Sequence, residues 1–126
     1  MPAAPKGSFA LPAGRRIKES RHFAKLKTDG RRLALGCLLI NWFIGAHPAK
    51  PRLGVVVSRK VGNAVVRNRA KRFLREAFRL HQTELPPSLD LVLVARPSMA
   101  RKRFADVERD FLAALRQARL WSQSPT

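Results

Sequence analysis

The sequence predicts one small α/β domain, and three observations point there. Short apolar or β-branched runs at residues 33–43, 52–58 and 89–95 read as strands. Helical apolar periodicity appears within residues 59–81 and again within 105–121. The order strand, helix, strand across residues 52–95 suggests a crossover unit, with the last strand parallel to a neighbour. A chain of 126 residues can bury a single modest core, and an apolar fraction of 45% excludes a wholly disordered basic tail.

From the N-terminus, residues 1–14 are broken by Pro and Gly and read as a flexible arm, followed by one domain over 15–121 and a polar tail over 122–126. Residues 17–29 predict a short first helix with Ser20 as N-cap, Phe23 and Leu26 on its apolar side and Gly30 as its stop. Phe23 has two readings at this point: ordinary core packing, or a platform on which a splayed base stacks. The runs at 33–43 and 52–58 are separated by GAHPAKP, whose prolines cannot join a ladder, and pair most simply as an antiparallel hairpin with a wide loop. Trp42 is expected to pack or cap an edge, and His47 to sit solvated in the loop. Pro86-Pro87-Ser88 breaks the chain before the buried strand LDLVLVA, and Arg96-Pro97-Ser98 ends it. Val107, Phe111, Leu115 and Ala118 then mark an amphipathic closing helix over 105–121.

The central helix carries the functional signal. Gly62-Asn63 supplies a chain break and an N-cap. At about 100° per residue, Val66, Ala70, Phe73, Leu74 and Ala77 form an apolar stripe, while Arg67, Asn68, Lys71, Arg72, Arg75 and Arg79 fall on the opposite side within an arc of roughly 140°. Arg67, Lys71, Arg75 and Arg79 are like charges at i,i+4, an arrangement that weakens an isolated helix and that a polyanion would relieve. Asn68 lies within the same arc, where an amide can read a base edge or a sugar. The whole chain has 26 Lys or Arg against 8 acids, a formal charge of +18. That balance favours a nucleic-acid partner over an anionic membrane. Arg101-Lys102-Arg103, just before the closing helix, form a second basic patch.

Catalysis by the protein alone finds little support. Asp106 and Asp110 share a helix face, with Arg103 and Arg109 near enough to make that face a salt-bridged surface. His22, His47 and His81 lie on three elements without a sequence-local partner, and no Gly-rich phosphate loop or CxxC occurs. Cys37 is alone, which excludes a disulfide framework or a Cys-based zinc site and fits a reducing, cytoplasmic compartment. The longest apolar run, residues 33–43, falls well short of the ~20 residues needed to span a bilayer, so no membrane partner is expected.

Residues 52–79, RLGVVVSRKVGNAVVRNRAKRFLREAFR, closely resemble the signature of the bacterial ribonuclease P protein subunit. The flanking IKESRHFAKLKTDGRR and LDLVLVARP extend the resemblance to about residues 15–120. It implies an α+β sandwich ordered α-β-β-β-α-β-α, with one small mixed sheet and a left-handed crossover through the basic helix. It also implies a non-catalytic partner of a catalytic RNA which, with Mg²⁺ held chiefly by that RNA, removes the 5′ leader of precursor tRNA. Mapped residue by residue, Arg67, Asn68, Arg69, Lys71, Arg72 and Arg75 would lie against the RNA subunit. Arg69 is outside the basic arc, and either reaches RNA from the flank or buttresses the fold. Phe23, Ser58 and Lys60, with Arg59 adjacent, would hold the leader between the first helix and the sheet. Lys27 and Asn41 stand where the family often has aromatics; at Lys27 only a salt-sensitive phosphate contact can replace stacking. The resemblance assigns no catalytic residue and leaves direct metal contacts unknown. A structural RNA-binding protein of ribosomal type is the alternative that charge and size alone equally permit.

Overall fold

The computed structural model describes residues 30–45 and 49–121. The first helix, Phe23, Lys27 and His47 lie outside the described residues, as do the N-terminal arm and the polar tail. The described chain forms β1 (Arg31–Leu35), β2 (Leu38–Ile44), β3 (Arg52–Val56), α1 (Ala64–His81), β4 (Leu89–Ala95) and α2 (Phe104–Gln117), with 3₁₀ turns at Gln82–Glu84 and Pro97–Arg101. The sheet order is β1-β2-β4-β3. β4 runs antiparallel to β2 and parallel to β3, which makes a mixed four-stranded sheet in an α+β fold.

Two strand expectations need correction. Residues 33–43 are not one strand but two arms of a tight hairpin, β1 and β2, turning at Gly36-Cys37. The expected hairpin between residues 33–43 and 52–58 does not form, because β4 inserts between β2 and β3 and takes a ladder on each side. The expectation of a parallel neighbour for the last strand holds. β4 is an interior strand, and its alternation is visible: Leu89, Leu91, Leu93 and Ala95 point into the main core, while Val92 and Val94 pack with Phe43 on the other face.

α1 begins where its capping residue indicates, with Asn63 Oδ1 accepting from the Val66 amide at 3.0 Å. Its fully buried side chains are Ala70, Leu74, Ala77 and Phe78. Phe78 is the addition to the expected stripe, and Phe73 and Val66 are only partly buried against the core. α2 buries Val107, Phe111, Ala114 and Leu115. It stops at Gln117 rather than at Trp121, because Arg119 takes a left-handed conformation (φ 60°) that folds Leu120 back to donate to the Leu115 carbonyl at 2.9 Å.

Asp110, expected on a salt-bridged surface with Asp106, is instead the buried charged residue of the described core, at 8% exposure. Its Oδ2 accepts from the Cys37 amide at 3.0 Å, across 73 residues of sequence. Gly36 turns the hairpin at φ +59°, and a Cβ there would overlap the Asp110 carboxylate. The hairpin tip and the helix therefore interlock through a residue without a side chain. Arg109 pairs with both Asp106 and Asp110 at 3.6 Å, so the expected ion pairing is present alongside the buried anchor. Burial pushes the Cys37 thiol up to about 12, and the Asp110 carboxylate adds to the shift. The cysteine is thus an inert core residue.

His81, read from the sequence as having no sequence-local partner, has one in Glu84 and a second, distant one in Glu108. Its Nδ1 and Nε2 lie 2.9 Å from Glu84 and Glu108 respectively, and Trp121 Nε1 donates to Glu84 at 2.8 Å. The cluster joins the end of α1, the following 3₁₀ turn, α2 and the chain after it. Burial alone would lower the imidazole pKa, but the hydrogen bonds to Glu108 and Glu84 outweigh it and raise the value above the ordinary 6.5. A neutral ring has one N–H, so only the doubly protonated form donates to both carboxylates.

Both anchors can be tested through stability. Asp110→Ala should destabilise by about 1–3 kcal/mol through the orphaned Cys37 amide. Gly36→Ala should destabilise less in that background than in the wild type, because the overlap is gone; additive effects in a denaturant double-mutant cycle would contradict the interlock. For His81, the folded pKa is raised, so its contribution is complete below the unfolded value and fades as pH rises through the folded one. The stability gap between wild type and His81→Gln should therefore be larger at about pH 6 than at about pH 9. A gap of equal size at both values would show that the ring contributes by packing alone.

Candidate nucleic-acid interface

α1 positions the cationic groups because its apolar residues leave the opposite side no choice. None of Arg67, Asn68, Arg69, Lys71, Arg72 or Arg75 is buried; Asn68 and Arg72 are exposed, and the other four half-buried. The arc does not sit squarely opposite the core, as helical periodicity alone implied. Phe78 rotates the buried stripe along the helix, so that Arg67 and Lys71 occupy its flank while Asn68 and Arg72 form its crest. Arg67 Nη1 reaches the Gly62 carbonyl only at 3.4 Å, a weak tether that leaves most of the guanidinium available.

Arg79 and Arg69 have work within the fold. Arg79 makes a two-pronged bond to Glu76 at 2.7 and 2.8 Å. Hence the like-charge row is relieved internally at its C-terminal end, and not only by a partner. Arg69 takes the buttressing role: its Nη2 donates to the Lys102 carbonyl at 2.8 Å, and its guanidinium lies over the Phe73 ring, 4.6 Å from the centroid. The remaining N–H groups of Arg69 do not prevent a further contact from that flank.

Ser58, Arg59 and Lys60 are exposed where the chain leaves β3. The Val61 amide donates to the Ser58 carbonyl at 3.1 Å and the Gly62 amide to that of Arg59 at 3.2 Å, closing a turn. Val61 anchors this turn in the core at 4% exposure, which leaves the three side chains before it outward. The turn leads directly into the cap of α1, so the two sets of candidate residues are contiguous in space as well as in sequence.

The sheet face turned away from α1 and α2 is a separate surface. Register aligns Arg32, Asn41, Val92 and Gly54 in one row across the four strands. Arg52 and Asp90, paired in register in the next row, close a two-pronged ion pair at 2.7 and 2.8 Å. Asn41 thus stands mid-sheet, between a cation and the small cluster of Val92, Phe43 and Val94. An amide there can hydrogen-bond but cannot offer the stacking area of an aromatic ring. Among the described residues, no group of three His, Cys, Asp or Glu side chains is placed to hold a metal ion, and no helix is long and apolar enough to cross a membrane.

Known proteins resemble this chain in sequence and in fold. A "Ribonuclease P protein component" of Alkaliphilus metalliredigens is 32% identical over 112 residues, covering 89% of this chain and 100% of the relative. That of Desulfovibrio desulfuricans is 41% identical over 112 residues, covering 86% of each chain. Among solved structures, the RNase P protein of Staphylococcus aureus at 2.0 Å superposes with a TM-score of 0.78 at 27% identity, covering 85% of this chain and 97% of that one. The RNase P protein from Thermotoga maritima superposes with a TM-score of 0.72 at 29% identity, covering 81% and 96%. With the Ribonuclease P family model matching residues 11–119 as well, the chain belongs to the ribonuclease P protein component family.

Proposed function

We propose that this chain is the protein subunit of a ribonucleoprotein endonuclease that matures tRNA 5′ ends, binding the catalytic RNA through α1 and the precursor leader beside it. The observation that carries the reading is the cationic side of α1, held outward by an apolar stripe docked in the core of a chain of this family. Arg67, Asn68, Lys71, Arg72 and Arg75 contact the RNA backbone, with Arg69 setting the flank. Ser58, Arg59 and Lys60, together with Phe23 and Lys27, receive the leader. Mg²⁺, bound chiefly by the RNA subunit, would supply the activation of water, and this reading assigns no metal ligand to the protein. The protein's contribution is binding and orientation: cations neutralise converging phosphates, and the exposed turn after β3 fixes the course of a single strand. The compartment in this reading is the cytoplasm, where precursor tRNA is made.

Cleavage of precursor tRNA at low Mg²⁺ should require the RNA subunit and be fastest with protein and RNA together; cleavage by protein alone would overturn the assignment of chemistry to RNA. Arg67→Ala and Arg72→Ala should each weaken assembly with that RNA by about 1–2 kcal/mol. The slope of log K against log salt should become less negative by about 0.7–0.9 for each phosphate the variant no longer neutralises. Unchanged slopes in both variants would remove α1 as the binding surface.

A further inference from the structure

The segment at residues 96–103, RPSMARKR, has four cations and no acid. It is fixed beside α1 at three points. Met99 is buried at 1% exposure, Arg69 Nη2 holds the Lys102 carbonyl at 2.8 Å, and Phe73 meets Phe104 edge-on with centroids 5.7 Å apart. Lys102 is half-buried by this packing, whereas Arg101 and Arg103 are exposed. The next acid along the chain, Asp106, is already engaged by the Arg103 amide at 3.1 Å and by Arg109 at 3.6 Å. Among the described residues, no carboxylate pairs with the guanidinium of Arg101 or Arg103.

The side of α1 on which this segment lies matters. At about 100° per residue, Arg69 is roughly 60° from Arg72 around the helix, and roughly 160° from Lys71. Arg67 and Lys71 therefore flank the crest on one side, and Arg69 with the 96–103 segment flanks it on the other. The exposed Arg72 stands between them. The cationic surface does not end at the helix but crosses its crest.

From this geometry we infer that Arg101 and Arg103 form a second phosphate-binding track for the same RNA that α1 binds, so that the RNA straddles the helix. The partner is an RNA backbone, since two guanidiniums without a carboxylate partner on a fixed loop suit phosphates of any sequence. Because the loop is already immobilised by Met99, Arg69 and Phe104, little ordering cost attends the association. Arg69 is a positioning residue in this scheme. The inference rests on the functional reading above, and its test separates the two.

Binding of the full-length chain to the RNA subunit would be titrated across salt for Arg101→Gln/Arg103→Gln and for a charge-matched control, Arg116→Gln/Arg119→Gln, with melting temperatures recorded for each. The loop variant should make the salt slope less negative by about 1.4–1.8, and the control should leave it unchanged. Arg101→Lys/Arg103→Lys should retain most of the slope, because point charge persists. Equal changes in loop variant and control would reduce the effect to net charge and overturn the inference. An unchanged loop variant alongside a shifted Arg72→Ala would confine the interface to α1 and overturn it too. If the wild-type chain showed no salt-dependent binding to the RNA subunit, the functional reading itself would fall.

Discussion

The burial of Ala70, Leu74, Ala77 and Phe78 against the sheet and α2 is the interaction on which the rest of the molecule depends. α1 has no acidic residue in its first turn and a succession of like charges along one side, both unfavourable in an isolated helix. Such a helix owes its existence to tertiary packing. Burying each large apolar side chain contributes about 1.5–3 kcal/mol, several times the few tenths of a kcal/mol of any one like-charge pair. Packing can therefore hold in place a set of charges that would not assemble unaided. The result is a cationic surface organised by the fold itself.

Much of this was legible in the chain itself. The limits of β4, the cap at Asn63 and the end of α1 near His81 follow from local chemistry: a bounded apolar run, an amide able to accept, a Pro-rich break. Pairing was less legible, because it depends on partners distant in sequence. The run at residues 33–43 is apolar except at Asn41, although only one face of β2 is fully buried, and its near-continuous apolarity hides the turn inside it. Only Gly36 marks that turn, and one glycine in an apolar run equally suits a bulge.

The candidate interface was readable in kind but not in orientation. Charge content and helical spacing identify Arg67, Lys71, Arg72 and Arg75, but a helical wheel treats the axis as straight and its surroundings as uniform. Phe78 breaks that uniformity by drawing the stripe toward Arg67 and Lys71. Arg69, Arg79 and His81 show another limit. Each belongs to a basic stretch, yet their structural partners are Lys102, Glu76 and Glu108, two of them on other elements. Charge counting cannot distinguish an arginine that meets solvent from one that braces a loop; a long-range acceptor decides it. The same holds for Asp110, whose helical spacing suggested a surface pair and whose actual neighbour is a backbone amide of the first hairpin.

That last bond has a consequence for how the molecule is made. The Cys37 amide can find its acceptor only after a helix residue 73 positions further along has been synthesised. During translation the first hairpin must wait with its turn unlocked, and β4 must still arrive before β2 and β3 acquire their shared neighbour. The architecture thus ties its earliest and latest described pieces into one cooperative event, and a nascent chain halted before α2 would lack the anchor that completes its first turn.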